Sequence, residues 1–325
     1  MSLQTKKLDP HERFEKYKGN ECWQFHLRER HYWEDLELAG MTHEDAQRLR
    51  TSDFIFEYVP KTDKKGCQEI VKFIERHEWL GKMPIWLTHR FVCRLNVKGM
   101  PRILAGVIIM ATPNAFSNIL GKEMREKEKL ISRGACISWS PKNLGSNTIM
   151  KAIKWMVANT DFRFFTAYSD PDAKELGTIY QACSFHYLGQ VSGTKYQFYV
   201  EGKGWRGDKS FSERSAFVRY AKELGYTWKK EWLRIEKGKR RVKWSEIPED
   251  ITVALKQKAK DTKNACPKRL SPPKHKYVFV LGRGKKETKH LRKLLHENSP
   301  PQYKMKFQAG KFSQVLVGYP KERGK

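Results

Sequence analysis

Apolar positions are sparse at the start of the chain and dense between residues 67 and 200. Residues 1–65 are polar and broken by Gly, Pro and charge. Within them, 43–50 fits a short helix with Thr42 as its N-cap. Residues 51–59 are aromatic and β-branched and fit a strand, and 61–66 reads as a turn. A helix follows over 67–79, with Ile70, Val71, Phe73 and Ile74 on its buried side. The pattern then turns to strands, over 88–95 and over 102–112. The second contains ILAGVIIMAT, the most apolar run in the chain, and predicts a central buried strand. A charged stretch, 121–129, precedes a strand over 130–139. Residues 140–147 are loop, and 148–159 is a helix with Ile149, Ile153, Trp155 and Met156 at apolar spacing. A strand over 162–168, a loop over 169–173 and a short helix over 176–183 follow. Two closing strands, 185–190 and 195–200, complete the order. This is a mixed α/β layer. Its two strand-to-helix junctions, 141–148 and 169–176, are where ligands collect in open α/β sheets.

After residue 201 the pattern changes. Residues 203–207 look like a hinge, and 211–224 fits a helix with Ser212 as N-cap. Residues 236–243 are a dense basic patch, and 266–276 is Pro-rich and basic. A short strand (277–281) and a basic helix (287–295) follow, and no internal repeat is visible. The division expected is an accessory segment (1–66), a catalytic-type domain (67–200) and a basic region (201–325).

Charge sharpens that division. The 325 residues carry 64 Lys and Arg against 36 Asp and Glu, a formal net charge of +28. Residues 1–200 hold 30 basic and 23 acidic side chains, whereas 201–325 holds 34 and 13. Three quarters of the excess thus lies in the last part, the footprint of a polyanion-binding region. Its cations alternate with Trp, Tyr and Phe, so phosphates would meet the cations and unstacked bases the rings. Ten Trp, thirteen Tyr and seventeen Phe argue against a disordered chain. No apolar run approaches a membrane span, and the first residues lack the apolar h-region of a secretory signal. Six Cys without a CxxC pair argue against a zinc ribbon or a disulfide scaffold and suit a reducing cytosol.

Three segments carry candidate chemistry. The loop SPKNLGSN opens directly into a helix, whose first amides lack internal partners and face an electropositive end. Asn143, Leu144, Gly145, Ser146 and Asn147 are thereby placed to hold a phosphate or pyrophosphate. By itself the loop reads equally as a capped helix start. Asp170, at the end of a strand in Ser169-Asp170-Pro171-Asp172, is placed as a general base. It reads equally as an Asx-turn before Pro171. Tyr180 lies on a short helix five residues before Phe185.

Together these segments resemble the GNAT (Gcn5-related N-acetyltransferase) family. There, strand four ends in a loop whose amides hold the pyrophosphate of acyl-CoA, and a short helix after strand five bears a Tyr in a YxxxGF pattern. Here the pattern runs from Tyr180 to Phe185, with Ser184 in place of Gly. The chain more closely resembles the phage Mu Mom family, a divergent branch of that fold. The resemblance rests on Arg133-Gly134-Ala135, on Pro141-Lys142-Asn143 with Ser146, and on the run SDP…GTIYQA with Phe185, Tyr187 and Gly189. Upstream, HEWLG (77–81) and ATPN (111–114) extend it over about 70–200.

The resemblance implies a mixed α/β sheet of GNAT-like acyltransferase fold with a basic C-terminal extension. It implies an enzyme that modifies adenine N6 in double-stranded phage DNA to N6-carbamoylmethyladenine in the host cytoplasm, shielding the DNA from restriction. It places Arg133, Ser146 and Asp170 in the active site and makes Tyr180 the proton donor to a leaving thiolate. Acyl-CoA, acetyl-CoA or a related donor is the implied cofactor. A metal, iron, is suspected in the family; His77 and His89 are the candidate ligands, though no HxxxH-type spacing joins them. Reaching a base inside a duplex requires flipping it out. Arg206, Arg214, Lys239, Arg240, Arg241 and Lys243 would clamp the phosphates, with Lys289 and Arg292 on a second helix. Two other functions fit the same residues: a GNAT-type acetyltransferase for a protein, a small amine or a hypermodified base, and a non-catalytic DNA-binding protein on a GNAT scaffold. The second of these has no reason to keep Asp170, Ser146 and Tyr180 around one pocket.

Overall fold

The computed structural model describes residues 23–170, 173, 175, 177–191, 195–202, 204–236 and 239–300. Its first element, α1 (Trp23–Ala39), has no counterpart in the hydrophobic pattern. Tyr32, Leu36 and Ala39 are buried on one side, but polar contacts do much of the anchoring. Asp35, 2% exposed, accepts from Ser138 Oγ at 2.6 Å and from Arg76 Nη2 at 2.9 Å. Arg28 Nη2 donates to the Ser138 carbonyl at 2.8 Å. The following helix, α2 (His43–Arg48), starts on Thr42 as expected, in a capping box with Asp45.

β1 (Phe54–Tyr58) is an edge strand of the main sheet, so this part of the expected accessory segment is integral to it. The helix α3 (Lys64–His77) starts three residues before the first predicted position, because Asp63 caps the Gly66 amide at 2.9 Å. β2 (Leu87–Leu95), β3 (Leu104–Ala111) and β4 (Glu128–Cys136) follow near their predicted places. α4 (Leu144–Asn159) begins a turn early, so Leu144 to Asn147 form its first turn rather than a loop. β5 (Phe164–Ser169), α5 (Thr178–Ala182) and β6 (His186–Val191) complete this stretch.

A second compact unit, 192–273, then follows. It holds β7 (Tyr196–Val200), β8 (Gly204–Gly207), α6 (Arg214–Glu223), β9 (Leu233–Glu236), β10 (Lys239–Val242), α7 (Glu249–Asn264) and β11 (Lys268–Leu270). The N-cap of α6 is Glu213, not Ser212. Strands β11-β7-β8 form one small sheet, and β9 and β10 form a hairpin. The α6 residues Ala216, Phe217, Tyr220 and Ala221 pack with Leu255 of α7 to make its core, with Trp228 and Trp244 against them.

The chain then supplies β12 (Lys274–Val280) and α8 (Lys285–Asn298) to the first unit. The main sheet has seven strands in the order β1-β2-β3-β4-β5-β12-β6. All neighbours are antiparallel except β4 and β5, which run parallel. The pattern expects 195–200 to close this sheet and a boundary at 200; instead β12 takes that place, and 192–273 is an insertion between the last two strands. The physical reason lies in β12 itself. Tyr277 and Phe279 pack into the α4 side of the core, while Val278 and Val280 meet Leu291 and Leu295 of α8. A strand buried on both faces belongs inside a sheet.

The same two-sided burial makes β3 the centre, as its apolar run predicts. Val107 and Ile109 join the cluster containing α1 and α3, and Ile108 and Met110 join the one containing α4. Each fully buried side chain of this size stabilises the fold by about 1.5–3 kcal/mol. The result is a mixed α/β sheet with a single parallel pair at β4–β5 and a helix following each of those strands. Among the described residues no helix is long and apolar enough to cross a membrane.

Candidate active site

The site is made by a fork in the sheet. β4 and β5 pair from Glu128–Phe164 to Ile131–Ala167, and pairing stops there. β4 continues to Cys136 and β5 to Ser169 without each other. A cavity of about 490 Å³ fills the opening. Gly134, Ala135 and Cys136 of β4 form part of its wall, with Ser169 and the segment from Gly177 to Tyr180 also lining it. The start of α4 contributes Asn143, Leu144, Gly145 and Ser146.

Local conformation explains that start. Asn143, the N-cap, has φ 69°, a left-handed conformation that Asn tolerates. The Leu144 amide donates to the Pro141 carbonyl and that of Asn147 to the Asn143 carbonyl. The amides of Gly145 and Ser146 have no intrahelical acceptor at such a position. A Cβ on Gly145 would lie 2.9 Å from Ile179 Cδ1, so glycine lets α4 and α5 approach. The Ser146 hydroxyl donates to the Asn143 carbonyl at 3.0 Å, so it braces this turn. Asn147 does not line the cavity. Ser169 Oγ is a buried hydroxyl without a hydrogen-bond partner, and it lines the cavity wall. An orphaned donor at that place fits a ligand carbonyl. These features fit an acyl-CoA-type group: amides for its phosphates, a partly apolar channel, and a hydroxyl at the fork.

A second cavity, of about 650 Å³, is lined by Ile131, Gly134, Glu175 and Tyr180, which also line the first. It adds Arg133, Tyr168, Asp170, Lys274 and much of the segment 78–86. Ser146 thus lines the first cavity and Asp170 the second, while Tyr180 lines both. Asp170 is paired to Lys274 Nζ at 2.6 Å. Arg133 donates to the carbonyls of Lys82 at 2.8 Å and Ser132 at 2.6 Å. At least two of its donors thus hold the protein's own backbone. Pro171 and Asp172 lie outside the described residues.

Glu175 is the carboxylate the pattern does not single out. Burial pushes its pKa up to about 7, against the stabilising hydrogen bond from the Asp170 amide at 3.3 Å. Burial also raises the Tyr180 phenol, and the Glu175 carboxylate adds to the effect, so the phenol keeps its proton. The ring of Tyr180 is fixed between Phe185 and Tyr277, at centroid distances of 5.3 and 5.4 Å. A base poised near neutrality thus shares a wall with a protonated acid. The only sequence signal for Glu175 is that it is a third acidic residue, after Asp170 and Asp172, in the same junction. For Lys274 there is none, since it arrives from 104 residues away.

The suspected metal ligands sit elsewhere. His77 lies 3.7 Å from Asp35 and packs at a tilt against Phe73, and burial lowers its pKa to about 4. His89 lies among Tyr58, Phe91, Trp155 and Phe162 and is likewise lowered to about 4 by burial. Neither lines the two cavities, and no group of three potential metal ligands occurs among the described residues. These side chains do not fit an iron site.

Of the expected phosphate contacts, Arg206, Arg214 and Arg241 are exposed on the second unit. Lys243 is ion-paired to Glu246 at 2.8 Å. The side chains of Lys239 and Arg240 lie outside the described residues. Lys289 and Arg292 are exposed on α8, which belongs to the first unit. The interleaved aromatics are not a free stacking surface. Trp232 is buried, Trp244 packs edge-on against Phe217, and the Arg269 guanidinium covers Trp205 at 4.2 Å. They build the small core that presents the cations.

The sequence profile of the Mom protein family matches residues 101–301. Comparison with curated proteins finds no match. Among solved structures, an IAA acetyltransferase from Bacillus cereus is similar at a TM-score of 0.30 and 10% identity, covering 70% of this chain and 99% of that one. A Bacillus subtilis acetyltransferase in complex with CoA is similar at 0.30 and 11%, with 70% and 99% covered. A putative acetyltransferase from Salmonella typhimurium with acetyl-CoA is similar at 0.32 and 9%, with 47% and 88% covered.

Proposed function

Because this chain belongs to the Mom protein family, we propose that it is a transferase acting on adenine N6 in double-stranded DNA. The product is a carbamoylmethylation-type adduct that protects a phage genome from restriction in the host cytoplasm. The donor is an acyl-CoA-type or related activated molecule whose transferred carbon is a methylene, since a carbamoylmethyl group joins N6 through CH2 and transfer of a thioester's carbonyl carbon would leave an amide instead. The observation that carries this is the junction of two cavities at Glu175 and Tyr180, one suited to the donor and one open for the acceptor.

When bound, such a donor would supply an electrophilic methylene and the leaving group that departs from it. The first-turn amides of Gly145 and Ser146 hold its phosphates. Ser169 Oγ donates to a carbonyl at the fork. In the larger cavity Asp170 accepts one N6 hydrogen and orients the amine. Glu175 takes the other. Adenine N6 is barely basic, because its lone pair is delocalised into the ring, so Glu175 must take the proton as the new N–C bond forms. Tyr180, kept protonated by burial, would hold a proton for the donor's leaving group. The exposed cations of the second unit hold the flanking phosphates.

The test is mass spectrometry of nucleosides from plasmid DNA of cells expressing the protein. A new adenosine adduct is expected, and its loss in Asp170→Ala and in Glu175→Gln. An unchanged nucleoside profile from soluble, well-expressed protein refutes the reading.

A further inference from the structure

We propose that Ile85 and Trp86 form a wedge that enters the DNA duplex and keeps the target base out of the stack, in the larger cavity. This rests on the DNA-transferase reading above and adds to it the means of reaching a base. Ile85 is 73% exposed and Trp86 63%. Two adjacent large apolar side chains in water are unusual enough to mark a contact site. Both line the mouth of the cavity whose walls carry Asp170, Glu175 and Tyr180.

The segment that carries them is braced. The buried Glu78 carboxylate accepts the Leu80 and Gly81 amides, both at 2.9 Å. Arg133 Nε holds the Lys82 carbonyl at 2.8 Å, and the Thr112 amide holds that of Trp86 at 2.9 Å. Thus Glu78 and Arg133 are positioning residues, which set the wedge rather than touch the reacting atoms. The occupant follows from charge and size. Exposed Lys82 lines the same cavity as the two apolar side chains, in a chain of formal charge +28. A cavity of about 650 Å³ takes a flipped nucleotide. Unstacking a base costs a few kcal/mol, and apolar side chains filling the gap in the stack offset it.

The experiment uses the full chain and duplexes with 2-aminopurine in place of one adenine, flanked by every combination of neighbouring base pairs. 2-Aminopurine brightens when it leaves the stack. Saturating wild-type protein is expected to raise the fluorescence of at least one duplex. The Ile85→Ala/Trp86→Ala variant is expected to bind with similar affinity while the flipped fraction falls about tenfold, equivalent to about 1.4 kcal/mol. Trp86→Phe is expected to keep most of the signal. Both side chains are exposed, and unchanged circular dichroism confirms that the variants fold.

No brightening with wild-type protein overturns the proposal. So does brightening that survives the double substitution, which would assign the apolar pair to a protein or membrane partner instead. The outcome is separable from that of the transferase reading. Brightening without any nucleoside adduct in cells sinks the chemistry and leaves the wedge. An adduct without wedge-dependent brightening does the reverse.

Discussion

Replacing Glu175 by Gln isolates the electrostatic strain at the fork. The carboxyl is raised from 4.5 to about 7, chiefly by burial. At 1.36 kcal/mol per pKa unit, this amounts to about 3 kcal/mol of folded-state penalty on the ionised form. The sign follows from proton binding. Between pH 4.5 and about 7 the native state keeps a proton that the unfolded state has lost, so stability falls as pH rises. Above about 7 both states are ionised and the penalty is complete. Gln keeps the shape and still accepts from the Asp170 amide, but it never ionises. Urea unfolding followed by tryptophan fluorescence should therefore find the two proteins equally stable at about pH 4.5. The Gln variant should gain up to about 3 kcal/mol by about pH 8. The same variant should lose activity, while wild-type activity climbs through about pH 7 as the base ionises. A stability gap that does not change with pH, or a Gln variant less stable at the higher pH, refutes the account of Glu175.

Tyr180→Phe should cut turnover about a hundredfold by removing the proton donor, with donor affinity unchanged in calorimetry. Asp35→Ala should destabilise the protein by about 1–3 kcal/mol in urea unfolding, since it removes the buried acceptor of the Ser138 hydroxyl and leaves Arg76 paired to Glu34 alone. Ser184 has φ 61°, in the left-handed region, so Ser184→Gly should raise stability by about 1 kcal/mol. DNA affinity should fall with salt with a log–log slope near −9, as about ten phosphate contacts imply. Replacing Arg206, Arg214 and Lys243 by Ala should flatten that slope by about 3.

Much of the fold was legible because it is written in local periodicity. The run around β3 is apolar at every position and could only be central. The Ser169-Asp170 and Tyr180–Phe185 segments, with the stretch before α4, marked the two strand-to-helix junctions, while the fork between β4 and β5 is visible only in the pairing. Ser184 illustrates how far this goes. The family pattern places Gly there, and the structure supplies the reason in the positive φ. What periodicity missed was α1, whose buried stripe is short and whose anchors are hydrogen bonds to Ser138 and Arg76.

The order of chemistry-bearing segments and the skewed charge were determined by the sequence alone, because spacing and composition are local properties. The tertiary structure decided which strand closes the sheet, since β12 pairs with β5 and β6 across the 192–273 insertion, and no window of sequence records such a pairing. It decided, too, that Phe217, Tyr220, Trp232 and Trp244 of the second unit pack inward while Tyr196 and Tyr199 stay exposed, because burial depends on what folds over a ring. And it decided that Glu175 sits at the junction of the two cavities beside Asp170, for its pKa is raised chiefly by the surrounding chain that shuts water away from it, and secondarily by the Glu78 and Asp170 carboxylates that the fold brings near.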